Sequence, residues 1–315
     1  MRIAALDLGS TSFHLLVVDA DESFGIRRVV RRRETLHLGA IVAEHGHLTP
    51  DAEAAAVKAT KRLRRAADRT GPQIVVAAAT HALREAANGD DLLARLAEEA
   101  RCPIRLLDGS TEARLVYEGV RAAMKLDTTP IVVCDLGGGS LELATGSGAD
   151  VDWDASFPLG ASLLSARLVS NDPLTGEEHE AIARTARGYL ASAAERLDGT
   201  PPVPCLATGG TARALARLEL SRRGLAPPPD GLLPQGVMIP AGRLYALTSS
   251  LATLTRERRL ALPGMAPRRV DTLPAGAIVL STLCEVLDLG GLIVTEWGLR
   301  EGLVLEALHA TAAAR

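Results

Sequence analysis

Aromatic residues are scarce, with two Trp, three Tyr and three Phe making up 3% of 315 residues. Surfaces that bind single-stranded nucleic acid stack bases on aromatic side chains, so that function class is excluded. A global positive field is also missing: 35 Lys and Arg against 38 Asp and Glu leave a net charge of −3. Any affinity for phosphate must therefore be local. No apolar run is long enough to span a bilayer. Nor does the start of the chain have a basic-then-apolar signal pattern, because the stretch from Ile3 to Leu8 is short and broken by Asp7. The four cysteines, Cys102, Cys134, Cys205 and Cys284, are scattered without paired spacing. In their apolar or strand-like settings they read as buried free thiols rather than disulfides or a zinc site. The expectation is a cytoplasmic protein with neither nucleic acid nor membrane as partner.

What the chain does have is core-forming material, 47% hydrophobic residues drawn mostly from Ala, Leu and Val. Its length suffices for two domains with full cores. Its most informative feature occurs twice. Ile3-Ala4-Ala5-Leu6-Asp7-Leu8-Gly9-Ser10-Thr11-Ser12 runs into the apolar stretch Phe13 to Val18. Ile131-Val132-Val133-Cys134-Asp135-Leu136-Gly137-Gly138-Gly139-Ser140 runs into Leu141-Glu142-Leu143-Ala144. Each copy reads as a buried strand, an acid, a small-residue turn and a second strand. Such a turn aims several N–H donors into one concavity, and glycine lets an anion approach the backbone closely. The Asp at the strand end can hold a cation or a water beside a phosphate. Two copies predict two related lobes with a cleft between them.

Strand and helix patterns alternate along the rest of the chain, which predicts mixed or parallel sheets covered by helices. After the first hairpin, Gly25 to Leu38 reads as a third strand. A helix starts at Thr49-Pro50-Asp51 and stops near Gly71-Pro72. A strand is expected over 73–79, helix over 82–100 with a break at Asn88-Gly89, a strand over 104–107 and a helix over 110–124. Asp127-Thr128-Thr129-Pro130 marks the boundary between lobes. Beyond it the scheme repeats: strands to about Phe157, helices over 162–169 and 175–197, a strand over 203–208, then Gly209-Gly210-Thr211 opening a helix. Pro227 to Gly231 reads as a surface loop. Helices over 241–254 and 274–287, a strand over 292–294 and a helix over 299–313 complete the chain.

Several separated motifs, in order, resemble the exopolyphosphatase and guanosine pentaphosphate phosphatase family, within the actin-like, sugar-kinase and Hsp70 superfold. They are Asp7 to Leu16, Ala79-Thr80-His81-Ala82-Leu83-Arg84-Glu85-Ala86-Ala87-Asn88, Gly109-Ser110-Thr111-Glu112-Ala113-Arg114-Leu115, Asp135 to Leu143, Thr208-Gly209-Gly210-Thr211, and Arg269-Val270-Asp271 with Leu273-Pro274-Ala275-Gly276-Ala277. The ordered set covers nearly the whole chain and resembles the short form of the family. It implies an α/β protein of two actin-like (ribonuclease H-like) domains with an inter-domain cleft. Domain I would span residues 1–126 and domain II 127–300, with a helix over 301–315 packing back on domain I. It also implies a homodimer.

Hydrolysis of a phosphoanhydride needs an activated water, charge neutralisation and in-line geometry. The resemblance implies Glu112 as the base that activates the water. Asp135 and Glu142 flank a glycine turn and can share a Mg²⁺, with Asp7 as the matching acid of the first lobe. Arg84, just past a strand end, can grip a phosphate bidentately. Ser10, Thr11, Gly137, Gly138, Gly139, Ser140, Gly209, Gly210 and Thr211 would supply the phosphate cradle, the glycine pair at a helix start being an anion site of its own. The implied cofactor is Mg²⁺, with or without K⁺. The implied substrate is inorganic polyphosphate, with guanosine pentaphosphate as the alternative and ppGpp as a regulator. A non-catalytic sensor of polyphosphate or alarmones, and a sugar or acetate kinase, are the other readings.

Two positions depart from the family pattern. Thr11 stands where many members carry Asn, and Thr111 where they carry a second Glu. Two further features have ordinary explanations. The run Arg27-Arg28-Val29-Val30-Arg31-Arg32-Arg33 offers a path for polyphosphate but is better explained as a charged strand edge that resists aggregation. His45-Gly46-His47 lacks a third ligand for a metal, and Trp153 and Trp297 read as packing residues.

Overall fold

The computed structural model describes residues 1–21, 25–197, 203–225 and 232–313; the proline-rich loop expected at 227–231 lies outside them. The chain forms two units, Met1–Gly119 with Trp297–Arg315 and Val120–Glu296. In the first, β1 (Arg2–Leu8) and β2 (Ser12–Ala20) form the expected hairpin around the first small-residue turn. Its strands are buried on both faces, which is why they read as near-continuous apolar runs. β3 (Ile26–Thr35) pairs with β2 and forms the sheet edge, and its arginines sit there, Arg27 on Asp19.

The expectation of a strand up to Leu38 needs correction. The chain turns at His37, whose φ of 56° is left-handed, into α1 (Leu38–His45). Leu36 and His37 donate their N–H groups to Thr11 O at 2.9 and 3.0 Å, so bonds to a distant loop override local β propensity here.

α2 (Pro50–Asp68) starts as its sequence predicts, with Thr49 accepting from Ala52 N and Pro50 in the first turn. Its Ala52, Ala56, Ala59, Leu63 and Ala67 recur every three or four residues and are buried. β4 (Ile74–Ala79) then lies parallel to β1, followed by α3 (His81–Glu85), α4 (Gly89–Ala100), the short β5 (Arg105–Leu106) and α5 (Gly109–Met124). The sheet order is β3-β2-β1-β4-β5.

The second unit repeats this scheme. β6 (Ile131–Leu136), β7 (Leu141–Ser147) and β8 (Asp150–Phe157) form an antiparallel meander, α6 (Ala161–Leu168) matches α1, and α7 (Gly176–Leu197) matches α2. β9 (Cys205–Thr208) runs parallel to β6 and leads into α8 (Gly209–Arg222). β10 (Val237–Pro240), unforeseen from sequence, is followed by α9 (Ala241–Thr253), the short α10 (Arg256–Leu260) and a 3₁₀ turn at Pro267–Arg269. α11 (Leu273–Val286) and β11 (Gly291–Val294) complete the unit. Its sheet order is β10-β11-β9-β6-β7-β8. Three antiparallel strands extended by parallel ones, with an antiparallel β10 added at the edge of the second sheet, is the actin-like arrangement. The final α12 (Leu299–Ala313) belongs to the first unit and packs on β1, β2 and β4.

All four cysteines are free thiols; Cys205 Sγ donates a weak hydrogen bond to Cys134 Sγ at 3.9 Å. No helix among the described residues is long and apolar enough to cross a membrane.

Candidate active site

Both small-residue turns are built alike. In the second unit, Gly137 N–H closes the turn on Ser140 O at 3.0 Å. The carbonyls of Gly137 and Gly138 accept from Ala161, Ser162 and Leu163, the first residues of α6, at 2.9 to 3.1 Å. Only glycine fits at position 160, where a Cβ would stand 2.2 Å from the Gly139 carbonyl carbon. With its carbonyls drawn to α6, the turn leaves the N–H groups of Gly138, Gly139 and Ser140 without a protein acceptor among the described residues. Successive N–H donors on small residues make an anion-binding concavity. Gly137 shapes this cradle rather than lining it, because its own N–H is used in the turn.

In the first unit the same work falls to α1. Gly39 N donates to Ser10 O at 2.9 Å, and a Cβ on Gly39 would come within 2.9 Å of the Ser10 Cβ. Ser10 Oγ accepts from Ala82 N at 3.1 Å, which ties the turn to α3 and leaves the hydroxyl proton to donate elsewhere. Thr11 anchors the turn through its carbonyl, a role that any side chain permits.

Arg84 and Glu112 meet in this unit. Asp108 opens α5 by accepting from Thr111 N at 2.7 Å, a bond that holds the Asp108 carboxyl below its usual pKa. Glu112 follows in the first turn with its side chain 10% exposed. Arg84 Nη1 stands 3.9 Å from Glu112 Oε2 and donates to Leu107 O at 2.5 Å, while Nη2 lies 3.4 Å from His81 Nδ1. The carbonyl fixes the guanidinium so that it lies beside the carboxylate without closing a tight pair on it. Asn88 of the same motif is structural, bridging Leu48 and Glu53.

In the second unit Asp135 is opposite Glu142 in the β6–β7 ladder and opposite Thr208 in the β6–β9 ladder. Directly opposed residues share a sheet face, with Cβ atoms about 5 Å apart. Glu142 is 3% exposed and accepts from Ser156 Oγ at 2.8 Å. Gly209 has φ +91°, and a Cβ there would lie 2.5 Å from Asp135 Oδ1 and from Leu136 O. Only glycine fits under that carboxylate.

No group of three or more His, Cys, Asp and Glu suited to a metal occurs among the described residues. Two opposed carboxylates with hard oxygen donors suit Mg²⁺, which keeps several waters and takes further ligands from substrate phosphates. Asp7 has His14, not a second acid, opposite it. The rings of His45 and His47 lie 6.1 Å apart at a tilt of 47°, and His47 Nδ1 bonds His45 O.

At the start of α8, Gly210 is half-buried, while Gly209 and Thr211 on either side are buried. The Arg269 guanidinium covers it so closely that a Cβ there would be 1.9 Å from Nη2. Thr211 is turned inward, 1% exposed with its hydroxyl against Gly276. Sequence reasoning assigns Arg269 no role, because nothing local tells that the 3₁₀ turn packs on α8.

A sequence profile described as the Ppx/GppA phosphatase family matches residues 16–311. The chain belongs to this family. Among curated Ppx/GppA relatives, it is 32% identical over 314 residues to Exopolyphosphatase 1 of Mycobacterium leprae, covering 99% of this chain and 91% of that one. It is 31% identical to Exopolyphosphatase 1 of Mycobacterium tuberculosis, with 99% and 90% covered. The crystal structure of the Aquifex aeolicus Ppx/GppA member superposes with a TM-score of 0.82 at 26% identity, covering 99% of this chain and 98% of that one. An exopolyphosphatase from Cytophaga hutchinsonii shares the fold at a TM-score of 0.90 and 24% identity, with 98% of each chain covered.

Proposed function

We propose that this member of the phosphatase family is an exopolyphosphatase, releasing the terminal phosphate of inorganic polyphosphate with Glu112 as base. The observation that carries the reading is the Arg84–Glu112 pair. A half-buried guanidinium, held by a carbonyl 3.9 Å from a buried carboxylate, places a phosphate-binding group beside a proton acceptor. In the reaction the Glu112 carboxylate takes a proton from water as the water oxygen bonds to the terminal phosphorus. The bridging oxygen leaves with the shortened chain. Arg84 orients the terminal phosphoryl oxygens, and in the second unit the N–H groups of Gly138, Gly139 and Ser140 form an anion cradle of their own. Mg²⁺ held by Asp135 and Glu142 would supply charge neutralisation on the phosphates.

Polyphosphate is favoured because relatives matching almost the whole chain carry the name exopolyphosphatase. Retention of Glu112 argues against a non-catalytic sensor, since binding alone needs no base. The replacement at Thr11 leaves the backbone anchoring of its turn in place. Homodimerisation, K⁺ stimulation and sensitivity to ppGpp accompany this reading as expectations.

The test is phosphate release by the purified protein with Mg²⁺ from tripolyphosphate, long-chain polyphosphate and guanosine pentaphosphate in parallel. Release from the polyphosphates at the higher kcat/KM is expected. Preference for guanosine pentaphosphate would replace the substrate, and binding without release from any of them would replace the enzyme by a sensor.

A further inference from the structure

The two acids of the second unit belong to a longer polar row. Thr208, Asp135, Glu142 and Ser156 stand opposite one another in turn across β9, β6, β7 and β8. Directly opposed residues share one face of a sheet, so the four side chains leave the same side. Their neighbours along β6 and β7, among them Cys134, Leu136, Leu141 and Leu143, point to the other face and join the core of the unit.

The two ends of the row are used differently. At the Asp135 end, Thr208 Oγ1 accepts from Arg213 Nη1 at 3.2 Å. At the Glu142 end, Ser156 Oγ donates to Glu142 Oε1 at 2.8 Å, an ordinary length for an O–H···O bond. Ser156 is half-buried on β8, the edge strand, and β7 lies between β8 and β6. The bond therefore draws Oε1 to the side of Glu142 away from Asp135. Asp135 is splayed the other way, with Oδ1 over Gly209 at the β9 end. A hydroxyl anchors a carboxylate without adding a positive charge to it, as an arginine would.

From this anchor we infer that Ser156 is a positioning residue that sets which divalent cation the Asp135–Glu142 pair takes, favouring Mg²⁺ over Ca²⁺. The inference rests on the proposed metal site. Mg²⁺ is small, demands near-octahedral geometry and binds through one or two carboxylates while keeping several waters. Ca²⁺ takes roughly six to eight oxygens and readily accepts a bidentate carboxylate. Bidentate binding needs both oxygens of Glu142 turned to the ion. With Oε1 anchored to Ser156, the carboxylate meets a cation through its other oxygen. Without the hydroxyl it is released to chelate, which suits the larger ion.

The experiment is calorimetric titration of Mg²⁺ and of Ca²⁺ into the intact, substrate-free protein and into S156A, S156T and D135N. S156A is expected to lose about tenfold in Mg²⁺ affinity, the low end of the cost of removing a hydrogen-bond partner from a metal ligand. Its Ca²⁺ affinity should hold or rise, so the preference for Mg²⁺ falls at least tenfold. S156T keeps a hydroxyl and should keep the preference. A merely structural role would weaken both cations alike. Equal losses for the two cations, an unchanged preference in S156A, or an S156T that behaves like S156A would overturn the inference. D135N reports on the site itself. If it left Mg²⁺ binding unchanged, or if the wild type bound neither cation, the metal site would fall and the inference with it. Mg²⁺ binding lost in D135N, with the preference unchanged in S156A, would keep the site and remove only the role of Ser156.

Discussion

Arg84 stands 3.9 Å from Glu112 while its own position is set by the Leu107 carbonyl. This division of labour predicts that Arg84→Ala lowers kcat by about 10²–10³, the range seen when a preorganised charge-stabilising donor is removed. Arg84→Lys should restore only part of it, since an ammonium cannot reproduce the guanidinium fork. Steady-state kinetics on tripolyphosphate check both.

Asp135 and Glu142 oppose one another across the β6–β7 ladder. Chelation of Mg²⁺ should abolish phosphate release, and Asp135→Asn should raise the Mg²⁺ concentration needed for half-maximal rate. Ser156→Ala, which removes only the hydroxyl donating to Glu142, should shift that requirement less. A Mg²⁺ titration of initial rates separates the three, and an unchanged requirement in Asp135→Asn would remove the metal assignment.

Gly209→Ala places a methyl in a left-handed backbone position, 2.5 Å from Asp135 Oδ1 and from a backbone carbonyl. A destabilisation of at least about 1–3 kcal/mol is expected from the backbone alone. Gly188→Ala, inside α7 with nothing within 4 Å, should stabilise by roughly 0.5–1 kcal/mol. Denaturant unfolding of the two variants tests this contrast.

Much of this was legible in the sequence. The paired turns announced a duplicated fold because buried strands and small-residue turns are local signals, and the helix starting at Thr49-Pro50 carried its own cap. α1 was not legible: its start depends on bonds from Leu36, His37 and Gly39 to the first turn, not on its own residues. The match between α1 and α6, each packing a glycine against its turn, was hidden for the same reason. In the site, the spacing of Asp135 and Glu142 across a tight turn already put them on one face. Arg269 over Gly210 depends on long-range packing.

Glu219 is fully buried under arginines, and bonds first from Arg222 and then from Arg223 bring its pKa down from 4.5 to about 2. A depressed carboxylate stabilises the fold above its unfolded pKa, and that contribution is lost as pH falls through the folded value. The intact protein should therefore lose this contribution between about pH 4.5 and 2. Glu219→Gln should be less stable at neutral pH, and its deficit should shrink across that window. Unfolding free energies measured against pH would show it.

Burial also raises the thiol pKa of Cys102 and pushes that of Cys284 to about 12, and Cys134 and Cys205 are inaccessible. The thiolate is the reactive form. A colorimetric thiol reagent should modify at most Cys102 in the native protein and all four cysteines in denaturant. Rapid native reaction of more than one thiol would contradict the packing of the second unit.

Phosphate release by Glu112→Gln is the most direct measurement, because the substitution keeps the shape of the side chain and removes its ability to accept a proton. The account predicts loss of release from tripolyphosphate by at least about 10², the scale of general-base catalysis, with KM little changed. Release at the wild-type rate would show that Glu112 is not the base.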